Sequence, residues 1–130
     1  MKKKGMVFGV FDGLHQGHRY FLDHAFQVCD ELIVVLTLEQ VVKKLKGKIP
    51  QQNYAERRAA IKKFNPDLKI VRGDAEIGTW NIFKKYRPDI IIVGYDQKGI
   101  ARELEKMKMP FIFIDAHMPE KYKSSLLIYA

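Results

Sequence analysis

Four short apolar runs, separated by stretches of helical periodicity, restrict this chain more than any other feature. They are Met6-Val7-Phe8, Glu31-Leu32-Ile33-Val34-Val35-Leu36-Thr37, Asp89-Ile90-Ile91-Ile92-Val93-Gly94 and Phe111-Ile112-Phe113-Ile114. Strands this continuously apolar are those covered on both faces, as in a parallel sheet. A shorter run, Leu68-Lys69-Ile70-Val71, closed by Gly73-Asp74, makes a fifth strand. Between them, Tyr20, Phe21, Ala25 and Phe26 fall at helical spacing, as do Ile100, Leu104 and Met107. Tyr54, Ala55, Arg57, Ile61 and Phe64 give a helix that stops before Pro66. Thr79 is placed to cap another through Trp80, Ile82, Phe83 and Tyr86, terminated by Pro88. The stretch with Lys43, Lys44, Lys46 and Lys48, closed by Pro50, reads as a loop. Strands alternating with helices require right-handed crossovers. The expectation is one α/β domain over residues 1–130, a doubly wound parallel five-stranded sheet.

Such a sheet binds ligands beyond the carboxyl ends of its strands, where the strand order reverses. Two strand ends carry unusual residues. After the first come Gly9-Val10-Phe11-Asp12-Gly13-Leu14-His15-Gln16-Gly17-His18, running into the first helix. After the fourth come Gly94-Tyr95-Asp96-Gln97-Lys98-Gly99. If the order reverses between those strands, both loops face one crevice. Gly9 and Gly17 would let the backbone approach a ligand closely. The free N–H groups of the helix start attract anions. His15 and His18, three apart in a first turn, share a side and can donate to phosphate oxygens.

The pattern also excludes. Gly-Lys-Ser/Thr is missing, so this is no P-loop, and the dinucleotide Gly-x-Gly-x-x-Gly spacing is absent. His-x-x-His lacks a third ligand at a convincing distance, so no resident metal site is expected. The formal net charge of +8 favours an anionic partner, either nucleic acid or a phosphorylated small molecule. No RNA-binding signature of interleaved aromatics and glycines accompanies it, which leaves nucleic acid the lesser reading. No apolar stretch approaches the roughly 20 residues of a membrane helix. The single cysteine, Cys29, cannot form an internal disulfide. A cytoplasmic protein is expected.

Gly9-Val10-Phe11-Asp12 followed by His15-Gln16-Gly17-His18 resembles the His-x-Gly-His signature of the cytidylyltransferase-like nucleotidyltransferases, which have a Rossmann-like fold. Further similarities follow in the family's order: Lys44-Leu45-Lys46-Gly47, Tyr54-Ala55-Glu56-Arg57, Trp80 after Gly78-Thr79, Gly94-Tyr95-Asp96-Gln97, and Ser124-Ser125. The resemblance implies transfer of a nucleotidyl group from CTP or ATP to a phosphorylated acceptor, with Mg²⁺, releasing pyrophosphate. The acceptor is of glycerol-3-phosphate, FMN or sugar-phosphate type. It implies that His15 and His18 hold the phosphates and stabilise the transition state. Gly9, Val10, Phe11, Asp12 and Gly17 line the nucleotide on one side, and Gly94, Asp96 and Gln97 on the other. Ser124 and Ser125 touch its phosphates, and Tyr122, beside them, is the candidate for stacking on the base. Lys44 or Lys46 holds the α-phosphate or the acceptor phosphate. Arg57 joins that clamp, or instead makes an ion pair with Glu56 or a loop contact. Trp80 lines the acceptor or packs in the core, and Asp96 meets ribose or base or caps its loop. A homodimer is implied by the family alone.

Two departures bear on specificity. The cytidylyl branch has an arginine shortly before its hydroxyl pair, where this chain has His117, Met118 and Lys121. A basic residue expected after the tryptophan is Phe83, with Lys84 adjacent. The sequence ends at Ala130, where relatives continue into a helix, so nucleotide binding without turnover stands as an alternative.

Overall fold

The structure is a computed structural model that describes residues 3–75, 79–95, 97–114 and, as backbone, 126–129. Strands β1 (Lys4–Gly9), β2 (Glu31–Leu36), β3 (Lys69–Arg72), β4 (Ile90–Gly94) and β5 (Phe111–Ile114) form a parallel sheet in the order β3-β2-β1-β4-β5. Helices α1 (Gln16–Gln27), α2 (Glu39–Lys46), α3 (Tyr54–Phe64), α4 (Asn81–Tyr86) and α5 (Lys98–Lys106) occupy the connections. The five expected strands and the doubly wound order are present. A sixth, β6 (Leu126–Tyr129), joins β5 antiparallel at the edge, with Ile114 opposite Leu126. Its Leu-Leu-Ile-Tyr run has the β-forming composition of an edge strand.

Alternation along the strands sends side chains to two cores. Val34 and Leu36 pack with Leu22, Ala25 and Ile61 of α1 and α3 on one face. Ile33 and Val35 pack with Ile82, Ala101 and Leu104 of α4 and α5 on the other. A strand buried on both faces leaves no polar position, which is why these runs are uninterrupted.

Two helix expectations need correction. The lysine-rich stretch is not a loop but α2, with Val41 and Val42 buried. Lys43, Lys44 and Lys46 stand in its last turn, where cations complement the helix dipole. Gly47 ends it at φ 76°, a left-handed conformation natural to glycine. Thr79 is not the cap of α4: Trp80 holds that position, at φ 53°, without a side-chain cap bond. The Asp74 carboxylate reaches in instead and accepts from the Ile82 amide at 3.3 Å.

The order reverses between β1 and β4, and the two neighbours of β1 treat it differently. β2 pairs with it from Lys4↔Glu31 through Gly9↔Leu36. Beyond that, the Thr37 amide and hydroxyl both donate to the Gly9 carbonyl, at 3.0 and 3.1 Å. β4 pairs only at Gly5↔Ile90 and Met6↔Ile91. The amino ends of β1 and β4 are clasped by Asp89, whose carboxylate accepts from the Lys4 amide at 2.8 Å and whose amide donates to the Lys4 carbonyl at 2.7 Å. Toward their carboxyl ends the register stops, and β1 and β4 lead into α1 and α5 from those ends, at the switch-point crevice where such sheets bind ligands.

Candidate nucleotide site at the first strand–helix turn

The turn from β1 to α1 is held in a shape its residues would not choose alone. Phe11, Gly13 and Leu14 have φ of 52°, 73° and 27°. For side chains such as Phe and Leu this region costs roughly 1–3 kcal/mol each. The burial of both offsets that cost, at 4% and 5% exposed. The Phe11 ring folds back over Gly9, where a β-carbon would come within 2.7 Å of it. A side chain at Gly9 would displace the Phe11 ring, so this glycine makes room for Phe11 as seated here.

Polar bonds fix the same turn from outside. The Asp12 carboxylate accepts from the amides of Gln51 and Gln52 at 2.8 and 2.9 Å. Burial alone would raise its pKa, but these two donors, with Arg57 and His18 nearby, outweigh it and leave the carboxyl below its ordinary value. The Gly13 amide donates to the Gln52 side chain at 3.0 Å. Asp12 thus tethers the turn to the segment before α3, and its side chain does so with both oxygens.

Upon this base stand the two histidines. His15 is the N-cap of α1, and His18 is its third residue. His15 Nδ1 accepts from the amides of Gly17 and His18 at 3.1 and 3.4 Å, and His18 Nδ1 accepts from the His15 amide at 3.2 Å. The pair forms a reciprocal capping box built from imidazoles. Their rings stack with centroids 3.6 Å apart and planes 19° from parallel. The Phe11 and His18 rings meet at 79° with centroids 5.4 Å apart, so the strained phenylalanine packs against one member of the pair.

This arrangement assigns the tautomers. A ring nitrogen that accepts carries no proton, so in each neutral imidazole the proton sits on Nε2. The sequence reading has helix amides meeting the anion directly. Instead, the Gly17 and His18 amides are taken by His15, and the positive helix end acts through the rings. An accepting Nδ1 polarises its ring and strengthens donation at Nε2. Two stacked Nε2–H donors at a helix start suit adjacent oxygens of a polyphosphate.

Other expected site residues divide. Of the roles open to Arg57, the loop contact is the one the structure contains: the side chain is fully buried, on the face of α3 that also carries Ile61. Its Nη1 donates to the Val10 and Thr37 carbonyls at 3.1 and 2.8 Å, and its Nε to Gln52 at 3.1 Å. It ties together the ends of β1 and β2 and the segment before α3. Burial lowers its pKa, opposed by Glu39 and Asp12. Val10 accordingly has its carbonyl engaged from behind. Lys44 and Lys46 are exposed, and no hydrogen bond or ring contact ties either to the imidazoles. Trp80 is half-buried, stacked on Phe83 with centroids 5.2 Å apart and edge-on to Phe8 at 5.6 Å. Gly94 is buried, and its amide donates to the Gln97 side chain at 2.9 Å. Asp96, Tyr122, Ser124 and Ser125 lie outside the described residues. Sequence reasoning missed Thr37 and Gln52, whose roles come from backbone contacts that no motif announces.

No group of three metal-binding side chains gathers among the described residues. None of their helices is long and apolar enough to cross a membrane.

Residues 6–128 match the cytidylyltransferase-like family. The FAD synthase of Aciduliprofundum boonei is 40% identical over 101 residues, 78% of this chain and 66% of that protein, just under two thirds of its length. The FAD synthase of Thermococcus sibiricus is 34% identical over 91% of this chain and 81% of that protein. Among solved structures, the lipopolysaccharide core biosynthesis protein from Thermoplasma volcanium superposes with a TM-score of 0.72 at 30% identity, covering 89% of this chain and 97% of that one. With its stacked histidine pair at the β1–α1 turn, the chain belongs to the cytidylyltransferase-like family of nucleotidyltransferases.

Proposed function

We propose that the chain transfers AMP from ATP to FMN, forming FAD and releasing pyrophosphate. The observation that carries this reading is the stacked pair His15 and His18, with Nε2 donors presented at the start of α1 beside the β1–β4 crevice. The likeness to two archaeal FAD synthases supplies the choice of ATP and FMN.

In the reaction, an oxygen of the FMN phosphate attacks the α-phosphorus of ATP. The bond from that phosphorus to the β-bridging oxygen breaks, and pyrophosphate departs with the electron pair. The attacking oxygen is already anionic, so no general base is needed, and positioning with charge neutralisation provides the rate. The imidazoles hydrogen-bond the oxygens on which charge accumulates. Lys44 and Lys46 receive the FMN phosphate. Mg²⁺ would be held by the nucleotide phosphates, as it commonly is, and would neutralise the charge that develops on them. The same reading includes a homodimer, which sedimentation equilibrium measures.

The test is incubation with ATP or CTP against FMN, glycerol-3-phosphate and a sugar phosphate, with Mg²⁺, reading pyrophosphate and product mass. FAD formed from ATP and FMN is the expected result. Turnover confined to CTP or to another acceptor overturns the substrate choice, and nucleotide binding without any turnover overturns the enzymatic reading.

A further inference from the structure

Gln97 occupies a position that its chemistry does not explain locally. It is the N-cap of α5, where Ser, Thr, Asn or Asp normally bonds the first helix amides, yet its side chain makes no such bond. It reaches across the crevice instead. Its Nε2 donates to the Phe8 carbonyl of β1 at 2.7 Å, while its Oε1 accepts from the Gly94 amide of β4 at 2.9 Å. The Gln97 backbone amide also donates to the Gly94 carbonyl at 3.0 Å, closing a tight turn that aims the side chain.

The register shows what this bridge replaces. Continuing the pairs Gly5↔Ile90 and Met6↔Ile91 would set Phe8 opposite Val93. In a parallel ladder the Gly94 amide would then donate directly to the Phe8 carbonyl. The Gln97 amide is inserted into that rung, its two ends satisfying the two groups that the missing bond leaves open.

We propose that Gln97 is a positioning residue that holds the carboxyl ends of β1 and β4 one amide apart and so sets the width of the nucleotide crevice. This assigns it a different task from direct contact with the nucleotide. The inference rests on the functional reading only for its consequence in binding. The clip itself concerns this chain alone.

Gln97→Met keeps nearly the same volume and reach but can make neither bond. We expect the Gly94 amide to exchange with deuterated solvent faster in this variant, while the thermal midpoint stays within a few degrees of wild type. The Kd for ATP should rise about tenfold, the worth of one to two neutral hydrogen bonds. The KM for FMN should change less than about twofold, since that value does not depend on this rung. A general structural defect would instead lower the thermal midpoint and weaken both substrates together. An unchanged Gly94 exchange rate overturns the clip, and faster exchange with unchanged ATP affinity overturns its role in crevice width. If the wild type binds no nucleotide, the functional reading fails while the exchange rate still decides the clip.

Discussion

The β1–α1 turn and the last turn of α2 both carry basic side chains matched to phosphate binding, and they are built in opposite ways. In the first, each histidine is fixed by a backbone bond at Nδ1 and stacked on the other, and His18 also packs against a buried phenylalanine. In the second, Lys44 and Lys46 stand exposed on either side of Leu45, itself 60% exposed. A donor fixed before the ligand arrives loses little freedom on binding and is spent on the transition state. A lysine in solvent adds long-range attraction, but it must be ordered by whatever it binds. The contrast separates groups that should set kcat from groups that should set KM.

The severest challenge to that contrast is Arg57, which supports the first region from beneath. Arg57→Met leaves the carbonyls of Val10, Thr37 and Gln52 without this donor. The expected loss is about 3 kcal/mol or more of unfolding free energy, read by urea denaturation. Unchanged stability with lost turnover would return Arg57 to direct phosphate contact and dissolve its supporting role.

Next in size, His15→Ala or His18→Ala should lower kcat by roughly a hundredfold, about 3 kcal/mol of transition-state stabilisation. Steady-state kinetics at saturating ATP and FMN measures this. Near-normal kcat with a raised KM would mean the pair is no more preorganised than the lysines. Lys44→Ala and Lys46→Ala should each cost about 1 kcal/mol in kcat/KM, mostly through KM for the phosphorylated acceptor. That loss should shrink as ionic strength rises and screening shortens the reach of the charges. A salt-independent fall in kcat from either variant would erase the distinction.

Much of the molecule could be read from its residues, and the failures have physical causes. Continuous apolar runs marked β1, β2, β4 and β5, because burial on both faces leaves no room for polar residues. Periodicity and Pro66 marked α3, and its bounds at Tyr54 and Phe64 agree with them. The lysines of α2 hid a helix because its apolar contribution is confined to Val41 and Val42. Arg57 shared a helical face with Ile61, but a guanidinium held by three carbonyls depends on strand ends and a loop remote in sequence. The histidine pair was legible as chemistry through its spacing. Its tautomers were not, since they depend on which backbone amides the rings accept. The bridge made by Gln97 was not legible, because it exists only once β1 and β4 are neighbours.

The claim beneath all of this is that both imidazoles present Nε2–H to the nucleotide phosphates. Nitrogen-15 NMR of the imidazole side chains, recorded without and then with ATP, tests it most directly. The account predicts that His15 and His18 are Nε2-protonated tautomers in the free protein, with both Nε2 resonances shifted by ATP. Protons on Nδ1 in either ring, or Nε2 resonances that ignore saturating ATP, would contradict it.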